Sequence, residues 1–101
     1  MTEPLVLKGP EGSITVTPAA LSRLVVQAAE GARGARVRGP KRAVEVLHGD
    51  GSAFVSLELA VAAGVSLADT AREVQARVAE AVAATSGLEV ERVDVAVQEI
   101  G

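Results

Sequence analysis

The stretch Ala43-Val44-Glu45-Val46-Leu47-His48-Gly49-Asp50-Gly51-Ser52-Ala53-Phe54-Val55-Ser56-Leu57-Glu58-Leu59-Ala60-Val61-Ala62 decides the fold. In its first part, Val44 and Val46 fall on one side of an extended chain. In its second part, Val55, Leu57, Leu59 and Val61 alternate with Phe54, Ser56, Glu58 and Ala60. A period of two is the mark of a strand with one buried face. The run His48-Gly49-Asp50-Gly51-Ser52 between them is a turn signal. The two strands are therefore expected to pair as a hairpin, with one apolar face that needs a cover.

The covers lie on either side in sequence. Upstream, Thr17 can cap a helix and Pro18 suits its first position, where a missing N–H costs nothing. Leu21, Leu24, Val25, Ala28 and Ala29 then make an apolar stripe. Gly31 is expected to end this helix with a positive φ. Downstream, Ser66 followed by Asp69 resembles a capping box. A second helix is expected to run to about Ser86, with a stripe of Leu67, Ala71, Val74, Val78, Ala81 and Val82, and to stop at Gly87. A short strand, Ser13 to Thr17, precedes the first helix. A last strand, Val90 to Ile100, carries Val93, Val95 and Val97 on one face.

The order is β-α-β-β-α-β. Amphipathic helices and one-faced strands pack most economically as a two-layer α+β sandwich. The expected architecture is a mostly antiparallel four-stranded sheet with both helices on one face, in a ferredoxin-like order. Residues 1–11, with Pro4, Gly9 and Pro10, read as a flexible leader, and residues 12–101 as a single domain.

Composition narrows the function. A chain of 101 residues fits one domain. It has no Cys, which rules out disulfides and thiolate metal sites. Phe54 is its only Phe, Tyr or Trp, so stacking platforms for bases are absent. The net charge of −3 gives no general attraction to nucleic acid or anionic lipid. No apolar run is long enough to span a membrane, and the first residues do not read as a signal peptide, so a cytoplasmic protein is expected. His48 is the single histidine and reads as a solvated turn residue, without companions for a metal site or a base. Gly31-x-x-Gly34 and Gly49-x-Gly51 lack the strand–loop–helix frame of a dinucleotide fingerprint. No catalytic, cofactor-binding or metal-binding residue is assigned.

Two features remain. Arg33, Arg36, Arg38, Lys41 and Arg42 are half of the ten basic residues, gathered in ten positions. They read either as an anion, RNA, lipid-headgroup or partner contact or as a loop kept soluble by charge. The sheet face away from the helices is expected to show Ala43, Leu47, Phe54, Ala60 and Ala96 among Glu45, Glu58 and Asp94. Leu47, Phe54, Ala60 and Ala96 form a candidate self-association or partner face, with Phe54 as its anchor.

The run Gly64-Val65-Ser66-Leu67-Ala68-Asp69, the Val74-Gln75 pair in mid-helix, and the exit Ser86-Gly87-Leu88-Glu89-Val90 into alternating valines resemble the bacterial alkaline-shock-protein family. Gly12-Ser13-Ile14-Thr15-Val16-Thr17-Pro18 is similar to its first strand and helix start. The chain departs from the family pattern at Asp94, where Asn is usual, near Ala63, where Tyr is frequent, and at Ser86, where Thr is usual. The resemblance implies a non-catalytic interaction module in cell-envelope homeostasis or stress response. It implies protein partners, a membrane anchor protein or a family paralogue, whereas a homo-oligomer is an expectation from the sheet face alone. Through such a partner the protein would reach the inner face of the membrane. The alternative it implies is a regulatory partner of a lipid-synthesis enzyme, acetyl-CoA carboxylase. A small RNA-binding domain using the basic loop is a further alternative, drawn from the residues alone.

Overall fold

The computed structural model describes residues 4–38 and 44–100. Its elements are β1 (Leu5–Gly9), β2 (Gly12–Val16), α1 (Pro18–Glu30), β3 (Ala35–Val37), β4 (Glu45–Gly49), β5 (Ser52–Ala62), α2 (Leu67–Ser86) and β6 (Glu89–Ile100). The chain is an α+β domain with both helices on one face of the larger sheet, as the apolar periodicity requires.

The hairpin forms as expected. β4 pairs antiparallel with β5 from Glu45↔Ser56 to Gly49↔Ser52. Asp50 and Gly51 make its two-residue turn with φ of 52° and 81°. Positive φ at both positions matches the twist of the flanking strands, and Asp-Gly tolerates it best. β6 then runs parallel to β5 along its whole length, from Ser52↔Glu89 to Ala62↔Ile100. α2 is the crossover between these direct neighbours.

With β6 along one side of β5, β3 and β4 share the other. β3 pairs antiparallel with β5 at Val61, Ala60 and Leu59. From Val37↔Leu59 to Glu45↔Ser56 the pairing advances eight residues on one side against three on β5. β3 and β4 are thus two halves of one interrupted strand, and residues 39–43 fall between them. The basic stretch from Arg33 to Arg42 is not all loop, as its Gly and Pro residues suggest, because Ala35–Val37 within it is β3.

Two further expectations are corrected at the N-terminal end. Leu5–Gly9, within the expected leader, is strand β1, paired with β2 from Leu5↔Val16 to Gly9↔Gly12. Pro10 and Glu11 form the turn, so the Gly and Pro residues that suggested looseness serve a hairpin. The strand before α1 does not join the larger sheet, because both sides of β5 are taken. β1 and β2 form a sheet of their own.

The core lies between helices and sheet. Leu21, Val25 and Ala29 of α1 and Val74, Val78 and Val82 of α2 meet Val46, Val55, Leu57, Leu59 and Val61 in one cluster. Thr17 accepts a hydrogen bond from the Ala20 amide at 3.2 Å, and Ser66 accepts one from the Asp69 amide at 3.3 Å. Both caps satisfy amides that the first helical turn leaves free. Gly87 ends α2 in the left-handed region at φ 74°. Gly31 ends α1 at φ −70°, without the expected positive φ. Gly34 takes that role at φ 79°, where the chain turns into β3. Leu67 lies exposed at the start of α2, and Thr70 is buried in its place.

A candidate interaction surface

β5 places Ala53, Val55, Leu57, Leu59 and Val61 toward the helices, so Phe54, Ser56, Glu58 and Ala60 point the other way. Register then fixes the composition of the open face. Phe54 stands between Leu47 and Arg92, Ser56 between Glu45 and Asp94, and Ala60 between Arg36 and Gln98. Leu47 and Phe54 are direct cross-strand partners and remain 45% and 46% exposed. Two large apolar side chains held side by side on an uncovered face keep apolar area in water, which favours an occupant.

The basic residues are divided by the fold. Arg33 is exposed in the turn before β3. Arg36 and Arg38 belong to the open face, so these two of the five basic residues share a surface with the apolar pair. Lys41 and Arg42 lie outside the described residues, as does Ala43. Arg38 takes its backbone position from its amide, which donates to the Glu58 carbonyl at 2.9 Å. Its Nη1 donates to Oε1 of Gln98 on the far side of β5. That bridge crosses the face at Ala60, which is only 4% exposed. Ala60 is therefore floor rather than contact surface, and the candidate face is corrected accordingly. Ala96 is exposed, beside Glu58.

Charge is unevenly spread across this face. Arg36 and Arg38 lie at the β3 end, and Glu45 and Asp94 lie toward the β4 end. Arg92 Nε donates to Asp94 Oδ1 at 2.9 Å. That hydrogen bond, then the charge of Asp94, raises the Arg92 pKa above its ordinary value. Ser52 donates to Glu91 at 3.3 Å near the bulge at Ala53/Phe54. Alternation with Val93, Val95 and Val97 turns Arg92 and Gln98 to this face, but which residues they neighbour depends on the parallel register of β6.

Arg33 and Arg36 also border a shallow hollow of about 470 Å³, together with Glu30, Gly31 and Ala62. The hollow lies at the C-terminal end of α1, where helix carbonyls carry partial negative charge. The Glu30 carboxylate is there too, accepting the Val37 amide at 3.1 Å. These groups partly offset the arginines. His48 is half-buried within β4 opposite Ala53, and not in the turn. Among the described residues, no group of three or more His, Asp or Glu side chains could hold a metal ion. No helix there is long and apolar enough to cross a membrane.

Residues 36–101, most of the larger sheet and all of α2, match the alkaline shock protein family, described as having a cell envelope-related function. The chain belongs to the alkaline shock protein family. The matched span contains Arg36, Arg38, Leu47, Phe54, Arg92 and Gln98, so the whole open face lies within the alkaline-shock-protein region, while β1, β2 and α1 lie before it. Its α+β fold is also that of solved structures. A MamM CTD variant in its zinc form shares 18% identity, with 82% of this chain and 86% of that one covered and a TM-score of 0.55. A MamM CTD variant in its copper form shares 21% identity over 82% and 98%, with a TM-score of 0.51. At such identities the likeness shows the fold alone. No curated protein matches the chain in sequence.

Proposed function

We propose that this alkaline-shock-protein-family chain is a non-catalytic interaction module of the cell envelope that docks a protein against the open face of its sheet. One observation carries the reading: the paired, half-exposed side chains of Leu47 and Phe54 on the face opposite the helices. The family's cell envelope-related function gives the setting. The form of the face suits a protein partner. It has an apolar centre rimmed by charges of both signs, the usual anatomy of a protein–protein contact. Phe54 is the anchor, since a ring buries large area at low entropic cost.

The test is capture from a native lysate by tagged protein, with the recovered proteins quantified by mass spectrometry. The parent and an Arg72→Ala control on the exposed side of α2 are expected to recover the same proteins, untagged copies of the chain included. Phe54→Glu is expected to lose them while keeping the parent's circular dichroism. Equal recovery by all three would remove the open face from the function.

A further inference from the structure

We infer that the occupant of the open face is the open face of a second copy, related by a two-fold axis that runs across the strands at the level of Leu57. The inference rests on the docking role assigned to that face and names its partner. Its warrant is the distribution of charge, read through the strand register.

A face-to-face pair of identical sheets has two simple two-fold arrangements. If the axis runs along β5, each row of one copy lies over the same row of the other. Glu58 would then stand over Glu58, and Glu45 on one side over Asp94 of the second copy on the other. Like charges brought together on leaving water oppose that arrangement strongly. If the axis runs across β5 at Leu57, the rows exchange ends. Arg38, level with Glu58, then meets Glu45 of the second copy, level with Ser56. Arg92 meets Gln98, and Asp94 meets Ala96. Among the described residues no like charges are directly opposed, and the Arg38–Glu45 pair forms twice.

The apolar centre agrees. Phe54 and Ala60 are six residues apart on one strand, roughly 20 Å. The cross-strand axis places the Phe54 ring of one copy over the Ala60 position of the other. There it meets the Arg38–Gln98 bridge that covers Ala60. The side chain of Arg36 would cover Leu47 of the second copy with its aliphatic stem. Packed sheets lie about 10 Å apart, within reach of these side chains.

The purified protein tests this by sedimentation equilibrium over a range of concentrations, with circular dichroism as a check on folding. The parent is expected to dimerise. Arg38→Glu and Glu45→Arg should each weaken dimerisation at least about tenfold, since each places two like-charge pairs in the interface. A one-to-one mixture of the two variants should recover the parent's affinity as a heterodimer, and the double variant should recover it as a homodimer. Both rescues follow from Arg38 and Glu45 meeting between copies, and loss of stability would not produce them. A parent that stays monomeric at all concentrations overturns the inference, as do single variants that dimerise like the parent or combinations that fail to rescue. Those results leave the docking role standing if Phe54→Glu still loses captured partners, so the two failures can be told apart.

Discussion

Arg38 and Gln98, sixty residues apart in sequence, join their side chains across β5 on the open face. The bond ties the interrupted strand β3–β4 to the far strand β6. It also hides Ala60. In the dilute monomer, Arg38→Ala should uncover Ala60 and change stability little, by less than about 1 kcal/mol, because exposed polar pairs contribute little. A double-mutant cycle with Gln98→Ala, followed by urea unfolding, would give a coupling of roughly 0.5 kcal/mol. A coupling above about 2 kcal/mol would mean the bridge is a structural clamp.

The helix caps give a second prediction. Ser66→Ala removes the acceptor for the Asp69 amide and should cost about 1 kcal/mol. Gly87→Ala forces a side chain into the left-handed region at φ 74° and should cost a similar amount. Nothing lies within 4 Å of a Cβ added there, so the cost is one of backbone alone. Thermal melting should show each as a drop of roughly 4–8 °C.

Packing sets the scale for the core. Val78 is fully buried between α2 and the sheet. Val78→Ala should destabilise by about 2 kcal/mol, from lost transfer energy and the cavity left behind. Val93, on the same apolar side but in the edge strand β6, is only half-buried, and its truncation should cost visibly less. Denaturant midpoints with unchanged slopes would confirm both.

The N-terminal hairpin should respond according to position along it. Leu5 at its base is 7% exposed, and Ile14 toward its tip is 66% exposed. Both lie on one face of the hairpin through the pairs Leu5↔Val16 and Leu7↔Ile14. Leu5→Ala should cost about 2 kcal/mol. Ile14→Ser should stay within about 0.5 kcal/mol of the parent. Comparable losses at both positions would show that the tip is covered in solution.

The edge of β6 is held by Gln75, whose side-chain amide donates to the Val93 carbonyl at 3.0 Å. Gln75→Ala should leave that carbonyl to water and speed amide exchange along β6, while exchange in β4 is unchanged. Hydrogen exchange read by NMR would resolve the two strands.

Several of these elements are legible in the sequence for a plain physical reason. Where one residue's chemistry decides a local conformation, the pattern can be read directly. Thr17 and Ser66 are caps, Asp50-Gly51 is a turn, and Gly87 is a stop, as their chemistry requires. The alternation from Val55 to Val61 likewise identifies the buried face of β5, and with it the open position of Phe54. The elements that escape such reading all depend on distant pairing. Leu5–Gly9 has no strand signal apart from its partner β2. β3 is three residues long with Arg36 at its centre, and only its pairing with Leu59, Ala60 and Val61 makes it a strand. Gln98 and Arg92 share the phase of Asp94 and Ala96, but their neighbours on the candidate surface follow from the register of β6, which no local pattern encodes. The Val74-Gln75 pair is visible as a motif, but its meaning is not. Val74 fills the core and Gln75 reaches the edge of β6, and that requires the packed structure.

The most direct test of the central claim, that the open sheet face is the docking surface, is photo-crosslinking in living cells. A photoreactive residue placed singly at Leu47 or Phe54 would be compared with the same residue at Ala76 on the exposed side of α2. Abundant crosslinked protein adducts from Leu47 and Phe54, and few from Ala76, are the predicted result. Adducts concentrated at Ala76, with none from the sheet face, would contradict it.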